Sequence, residues 1–374
     1  MQARDGLDPL RLSRARAFLE QAVVDGAFPG AVALIAVGGR AVAHWALGRA
    51  QIEPVERPMQ PDTIFDLASL TKPVAGATAA LVLLEDGAWS LDDAVARFIP
   101  EFAASGKQNI TLRQLLTHTS GLAAWAPTYA HARDPEAALS YICSLPLTYP
   151  PGSNVQYSDL GFSMIGHLVR RLTGEDLDAL LSRRVWAPLG LVDTGYLLSA
   201  GLKARIAATE RGNRYEQAMV SDRRESFDGW RDHVLVGEVN DGNAHYALGG
   251  ISSHAGLFAS APDLLTLATM YLDEGPRVLS SATIAVATSN HTAGLASARG
   301  LGWELAPRAC GDLFSPQTFG HTGFTGTSLA VDPERRLVVI LLTNRIHPDA
   351  DNDRISTVRP RFHNLVAASV VSTT

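Results

Sequence analysis

Ser69 stands three positions before Lys72, in the run Ser69-Leu70-Thr71-Lys72. That is one helical turn, the spacing of a hydroxyl nucleophile beside an amine. The lysine is a notable choice, because the chain carries three lysines against 29 arginines. A guanidinium keeps its proton inside a protein, whereas a buried lysine can give one up, so only lysine can act as a base. The pair suggests a nucleophile with its own base. A surface serine and lysine with no role would read the same, so the other parts of such a site must be sought elsewhere.

An acyl-transfer site also needs a group to protonate the leaving atom, a group to activate water, and a second oxyanion donor. Three segments have suitable residues. Tyr157-Ser158-Asp159 follows a Pro-Gly turn and precedes a helical pattern. A tyrosine there, beside a lysine, can shuttle protons; it can equally be a packing residue. His321-Thr322-Gly323-Phe324-Thr325-Gly326 opens a strand-rich tail, where small residues let a substrate backbone approach closely. Leu115 to Leu122 reads, on its own, as a helix end and a turn.

The elements that must hold these residues follow from periodicity. Residues 9–25 read as an amphipathic helix. Ala31–Val37 and Ala41–Leu47 flank Gly38-Gly39 as a hairpin. Residues 50–62 read as a loop. Residues 70–86 read as a helix ending at Gly87, with Pro73 tolerated in its first turn. From Ala77 to Leu84 that helix is apolar nearly all round, which marks it as buried and central. Ser69 then lies at its N-terminal end, where backbone donors favour developing negative charge. Short helices are expected at Leu91–Phe98, Thr111–Leu116 and 134–144. Asp159 is expected to cap a helix running to Leu172 and closed by Gly174. A further helix is expected at 175–187. Residues 200–247 are polar and poorly periodic, an irregular excursion. Helices return at 262–273 and 279–288. Strands are expected at Gly300–Leu305, Ser328–Asp332 and Leu337–Thr343, then a last helix at 359–371.

Strands at both ends with helices between them imply one α/β (α+β) fold. It would be an antiparallel sheet flanked by helices, interrupted by a mostly helical insertion. The expected units are residues 1–75 plus 295–374, and residues 76–294, with the site at their interface. The length, 374 residues, suits two such units. A net charge of −6 argues against a phosphate-gripping nucleic-acid binder. No apolar run approaches the ~18 residues of a membrane span. The first 18 residues mix charges and lack the apolar core of a secretory signal, so a cytoplasmic location is expected. Cys143 and Cys310 lie in no metal or redox spacing, and the histidines form no ligand motif, so neither a metal nor a cofactor is expected. No G-x-S-x-G elbow, Walker loop or dinucleotide glycine motif occurs.

Taken in order, the motifs resemble the serine β-lactamase and penicillin-binding superfamily. Its class C branch is the nearer likeness, with the D-Ala-D-Ala peptidases and family VIII esterases. That family has S-x-x-K on a central helix, Y-x-N on a loop and K-T-G or H-T-G on an edge strand. Here these stand as Ser69–Lys72, Tyr157–Asp159 and His321–Gly323. The segments Leu115–Leu122, Pro151–Asp159 and Leu248–Phe258 share the likeness, which runs from about residue 25 to 345. It implies Ser69 as nucleophile, Lys72 or Tyr157 as base, Tyr157 as proton donor to the leaving group, and the Ser69 and Phe324 N–H groups as oxyanion hole. A lysine starts near pKa ~10.4, so neutrality at pH 7 costs roughly 4 kcal/mol. Burial can supply part of that, or Tyr157 can ionise instead. Two departures bear on specificity. Asp159 replaces the family's asparagine and, ionised, only accepts; it can hold Lys72 or cap the helix. His321 replaces a lysine and, neutral, attracts a substrate carboxylate less.

The expected function is a hydrolase acting on a small ester, amide or peptide through an acyl-serine. Esterase activity comes first, then D-amino-acid peptidase or amidase, then β-lactamase, with acyl transfer to an alcohol or amine also within the chemistry. A non-catalytic binding protein on the same fold is the alternative from another class. Expected cleft residues are Trp125, Tyr129, Asp159, Asp241, Asn243, His321, Thr322, Gly323 and Phe324, with the 200–247 excursion. No nucleic-acid or membrane partner is expected.

Overall fold

The computed structural model of the protein describes residues 6–223, 225–272 and 278–371. Its strands, in chain order, are β1 (Gly30–Val37), β2 (Arg40–Gln51), β3 (Arg57–Pro58), β4 (Ile64–Asp66), β5 (Phe258–Ser260), β6 (Glu304–Leu305), β7 (Phe319–Thr322), β8 (Ser328–Asp332) and β9 (Leu337–Thr343). Seven of them form one sheet in the order β3-β2-β1-β9-β8-β7-β6, and β4 pairs with β5. The pairing of β1 with β9, Ala33 opposite Leu341, joins the two ends of the chain. The architecture is thus a mixed α/β fold with an antiparallel sheet flanked by helices, as the sequence predicts.

Successive side chains of a strand face opposite sides, and β1 and β9 are apolar at every position but the last of β9. Val32, Leu34, Val338, Ile340 and Leu342 enter one core. Ala31, Ala33, Ile35, Val339 and Leu341 enter the other. The second core is closed by the terminal helices, Pro9–Val24 and Ile355–Ala367, through Leu19 and Phe362. The first core takes the segment that follows Ser69 and the helices from the middle of the chain.

Several expected elements come out differently. The helix predicted for Leu91–Phe98 is only a 3₁₀ turn, Val95–Arg97. The carbonyls of Leu91 and Asp93 accept from Arg113 and Leu112 N–H, so they are not free to build helix. The predicted strand from Gly300 shrinks to Glu304–Leu305, because Gly300 N–H folds back onto the Trp303 carbonyl. The irregular excursion at 200–247 contains a helix, Arg214–Asp222. The predicted helix at 262–273 runs Ala261–Tyr271, and position 273 lies outside the described residues.

The segment carrying Ser69 is the part that matters most. It enters from β4, makes a 3₁₀ turn over Ala68–Leu70, widens to a π-helical turn over Lys72–Ala77, and continues as α-helix over Thr78–Glu85. Pro73 has no N–H to give in this first turn. The Thr78 hydroxyl donates to the Pro73 carbonyl at 3.0 Å, inside the widened turn. Gly76 is required by packing: a Cβ there would sit 2.7 Å from the Ser253 carbonyl. Its absence lets residues 253–254 lie against the helix beside Lys72.

Candidate active site

Lys72 is fully buried, and its ammonium has three oxygens around it. It donates to Ser69 Oγ at 3.1 Å and to the His254 carbonyl at 2.9 Å. Asp159 Oδ1 lies 2.7 Å away, a close ion pair without hydrogen-bond alignment. Burial, the largest single influence, would drive the lysine to give up its proton; Asp159 and Tyr157 together outweigh it, and the pKa ends above its ordinary value. The tyrosine ring of Tyr157 lies under the ammonium, 4.7 Å from Nζ to centroid. Its Oη is buried without a hydrogen-bond partner. Burial pushes the phenol up, and Lys72 only partly offsets that. The resting site therefore holds an ammonium, a carboxylate and a neutral phenol around the Ser69 hydroxyl.

Tyr157 owes its place to His118. His118 has φ +60°, a conformation uncommon for a residue with a side chain. Its carbonyl accepts from Gln156 N–H at 2.9 Å and its Nδ1 from Ser158 N–H at 3.0 Å, so it grips the backbone on both sides of Tyr157. Its ring also lies 4.6 Å from the Tyr157 ring. Accepting at Nδ1 places the proton on Nε2. Burial, with the Arg299 and Lys72 charges, holds the imidazole well below its usual range and hence neutral. Ser158, not Asp159, caps the following helix, Asp159–Thr173, through Gly161 N–H at 3.0 Å. Asp159 is the first helical residue, which leaves its carboxylate for Lys72.

The third motif reaches the site through backbone packing. Thr325 Oγ1 donates to the Asp66 carbonyl at 2.7 Å, and Thr327 Oγ1 to the Leu67 carbonyl at 2.9 Å. These bonds fasten the turn after β7 onto the two residues that lead into Ala68-Ser69. Gly323 permits the approach, since any Cβ there would overlap the Leu67 carbonyl. Within the sheet, β7 lies between β8 and the two-residue β6, which faces only Phe319 and Gly320. His321 and Thr322 are therefore on an open edge of a strand that is itself second in the sheet. His321 is buried, and its Nδ1 donates to the Thr322 carbonyl at 2.7 Å. Burial, then the charges of Lys72 and Arg299, lower it to about 3. It is neutral, with a lone pair at Nε2.

A cavity of ≈ 270 Å³ opens onto Ser69. Tyr157, Asp159, Trp125, Asp241 and Phe324 line it, as the sequence predicts for the cleft. His321, Thr322 and Gly323, also expected in the cleft, are not among its lining residues. Asn243 does not reach it: its Oδ1 accepts from Tyr129 N–H and its Nδ2 donates to the Ala126 carbonyl, so both amide groups hold backbone. Tyr129 is fully buried under Trp230 and Phe227. The 200–247 excursion reaches the cleft, as expected, though sequence reasoning named none of these residues: the Arg214–Asp222 helix brings Tyr215, Glu216 and Met219 to the pocket, with Glu210 and Asn240 beside them. Sequence reasoning also missed the pairing of His254 Nε2 with Asp241 Oδ1 at 3.0 Å, next to the carbonyl that holds Lys72. Among the described residues, no cluster of three or more metal-ligating side chains forms, and no helix is long and apolar enough to cross a membrane.

The Beta-lactamase family model matches residues 15–359. A putative D-alanyl-D-alanine carboxypeptidase of Escherichia coli K12 is 32% identical over 378 residues, covering 92% of this chain and 85% of the relative. An N-acetylmuramyl-L-alanine amidase of Bacillus subtilis is 30% identical, covering 90% and 81%. Among solved structures, EstCE1, a hydrolase with promiscuous acyltransferase activity, superposes with a TM-score of 0.74 at 23% identity, covering 96% of this chain and 99% of that one.

Proposed function

The chain belongs to the beta-lactamase family, whose wider superfamily consists of serine hydrolases, and on that premise we propose that it cleaves an ester or amide through an acyl-enzyme on Ser69. The observation that carries this reading is the contact of a fully buried lysine with the Ser69 hydroxyl, 3.1 Å apart, at the mouth of a small-molecule cavity. Esters are the substrates of choice, because an alkoxide leaves more readily than an amine.

In the proposed reaction, Ser69 Oγ forms a bond to the carbonyl carbon as its proton passes to the Lys72–Tyr157 pair. The C–O or C–N bond of the substrate then breaks, and the same pair returns the proton to the leaving oxygen or nitrogen. Water repeats the sequence in reverse, and the carboxylic acid departs. Both Lys72 and Tyr157 rest in their protonated forms, so the base has to be generated by loss of one proton from the pair. The Ser69 and Phe324 N–H groups are assigned to the oxyanion. The threonine bonds that hold residues 325 and 327 to residues 66 and 67 support that assignment. Cleavage of amides is the second reading, favoured by the names of the curated relatives.

A fluorophosphonate probe followed by intact-mass measurement tests the proposal. One adduct on the wild-type chain, none on Ser69→Ala, and loss of p-nitrophenyl butyrate hydrolysis in that variant are the expected results. An unlabelled wild type, or a Ser69→Ala variant with most of the activity, overturns it.

A further inference from the structure

The cavity beside Ser69 has an unbalanced wall. Glu210, Glu216 and Asp241 line it with the rings of Trp125, Tyr215 and Phe324, and no lysine, arginine or histidine is among its described lining residues. Most of the carboxylates are already matched. Asp159 faces Lys72, Asp241 faces His254, and Glu210 accepts from Tyr215 N–H and from Asn240 Nδ2. Glu216 is different. Its Oε1 accepts from Gly242 N–H at 2.6 Å, but its Oε2 is buried without a hydrogen-bond partner, and it makes no ion pair among the described residues. Tyr129, fully buried and outside the cavity lining, has its Oη beside this carboxylate without hydrogen-bond alignment, so the interior offers Glu216 a neutral phenol and, among the described residues, no cation. Cations that could have neutralised the wall are engaged elsewhere. Arg345 donates to the carbonyls of Phe324 and Asn352 and lies behind the Phe324 ring, 4.7 Å from its centroid.

A buried carboxylate oxygen without an aligned donor is costly, and a wall of carboxylates and aromatic faces attracts a cation by charge and by ring quadrupole alike. The same wall repels a free carboxylate. Resting on the serine-hydrolase reading, we propose that the pocket selects substrates with a protonated amine close to the scissile carbonyl, aminoacyl esters or amides, and that Glu216 receives the ammonium. In the empty pocket, burial and the Asp241 charge push the Glu216 carboxyl up to about 8. A bound ammonium reverses that balance, and the Glu216 proton leaves to solvent.

The test compares kcat/KM for D- and L-alanine p-nitroanilide with that for their N-acetyl counterparts, using p-nitrophenyl butyrate as the reference substrate. The expected result is a preference of at least tenfold for a free-amine anilide in the wild type. Glu216→Gln should cut that ratio by tenfold or more. A second measurement needs no variant: n-butylamine should inhibit p-nitrophenyl butyrate hydrolysis at least tenfold more tightly than butyrate does. If the reference ester is hydrolysed while the N-acetyl anilides are equal or better, or butyrate is the tighter inhibitor, or the ratio survives in Glu216→Gln, the amine selectivity is wrong and the hydrolase reading stands. If no substrate reacts and no probe labels Ser69, the hydrolase reading falls and takes this proposal with it.

Discussion

Lys72, buried behind Ser69, and Glu216, whose carboxyl is buried in the cavity wall, are both ionisable groups held out of water, and the fold treats them in opposite ways. Lys72 is surrounded by Ser69 Oγ, the His254 carbonyl and Asp159, so it keeps its proton and its charge against the pull of burial. Glu216 has one backbone N–H and a like-charged neighbour, Asp241, so burial and repulsion drive it neutral. Desolvation acts on both; the sign and number of partners decide the outcome. A charge satisfied from within belongs to the machinery that is built before substrate arrives. A charge left unsatisfied marks where the substrate must supply the partner.

The largest effect expected on the Lys72 side comes from Lys72→Arg. The positive charge is kept and the capacity to release a proton is lost. General-base catalysis contributes about 10²–10⁴-fold, so kcat/KM for p-nitrophenyl butyrate should fall by about 10³. A wild-type rate in this variant would assign the base to Tyr157 alone. In the wild type, kcat/KM should climb with pH above neutrality, because both Lys72 and Tyr157 are shifted upward.

Removing the partner should blur the contrast. In Asp159→Asn the buried ammonium loses its counter-charge, and breaking such a pair costs about 3–5 kcal/mol. Denaturant unfolding should register most of that loss. Desolvation then meets less opposition at Lys72, its pKa falls, and the alkaline rise of kcat/KM moves to lower pH. Unchanged stability would mean that the 2.7 Å contact has no energetic weight.

His118 touches neither charge and acts through Tyr157. His118→Ala removes the acceptor for Ser158 N–H and the ring beside Tyr157. A misplaced Tyr157 should lower kcat about tenfold while KM stays near its original value, an effect of about 1.4 kcal/mol. His118→Asn, which keeps an acceptor near Nδ1, should recover part of the loss. A variant that changes KM alone would deny His118 this positioning role.

The two sides also differ in how far they can be read from sequence. Ser69, Lys72 and Tyr157 announce themselves, because chemistry needs those residue types and the spacing along a buried helix is local. Asp159 is visible as a residue, but its two possible roles separate only once Ser158 is seen to cap the helix. His118 stands within a quoted motif, yet its function depends on a positive φ and on residues 38 to 40 positions away. Glu216 is covered only by the broad expectation that the 200–247 excursion lines the cleft. The Arg214–Asp222 helix buries only Val220 among its residues, since one face meets water and the other an open cavity, so no apolar stripe betrays it. The sheet was legible for the opposite reason: β1 and β9 are apolar on both faces.

One further test isolates Glu216 from catalysis altogether. Its carboxyl titrates near 4.5 in the unfolded chain and at about 8 in the fold, where Asp241, Glu210 and Tyr129 surround it. Between those values the folded state binds the extra proton, so stability falls as pH rises. The contribution is complete below about pH 4.5 and is lost by the time pH passes 8. Glu216→Gln resembles the protonated form at every pH and has no such loss. The difference in melting temperature, variant minus wild type, should therefore be small near pH 4.5, grow steadily toward pH 8 and then level off. A difference that stays flat across this window would mean that Glu216 is ionised in the empty pocket, already matched like Lys72, and the contrast between the two sides would disappear.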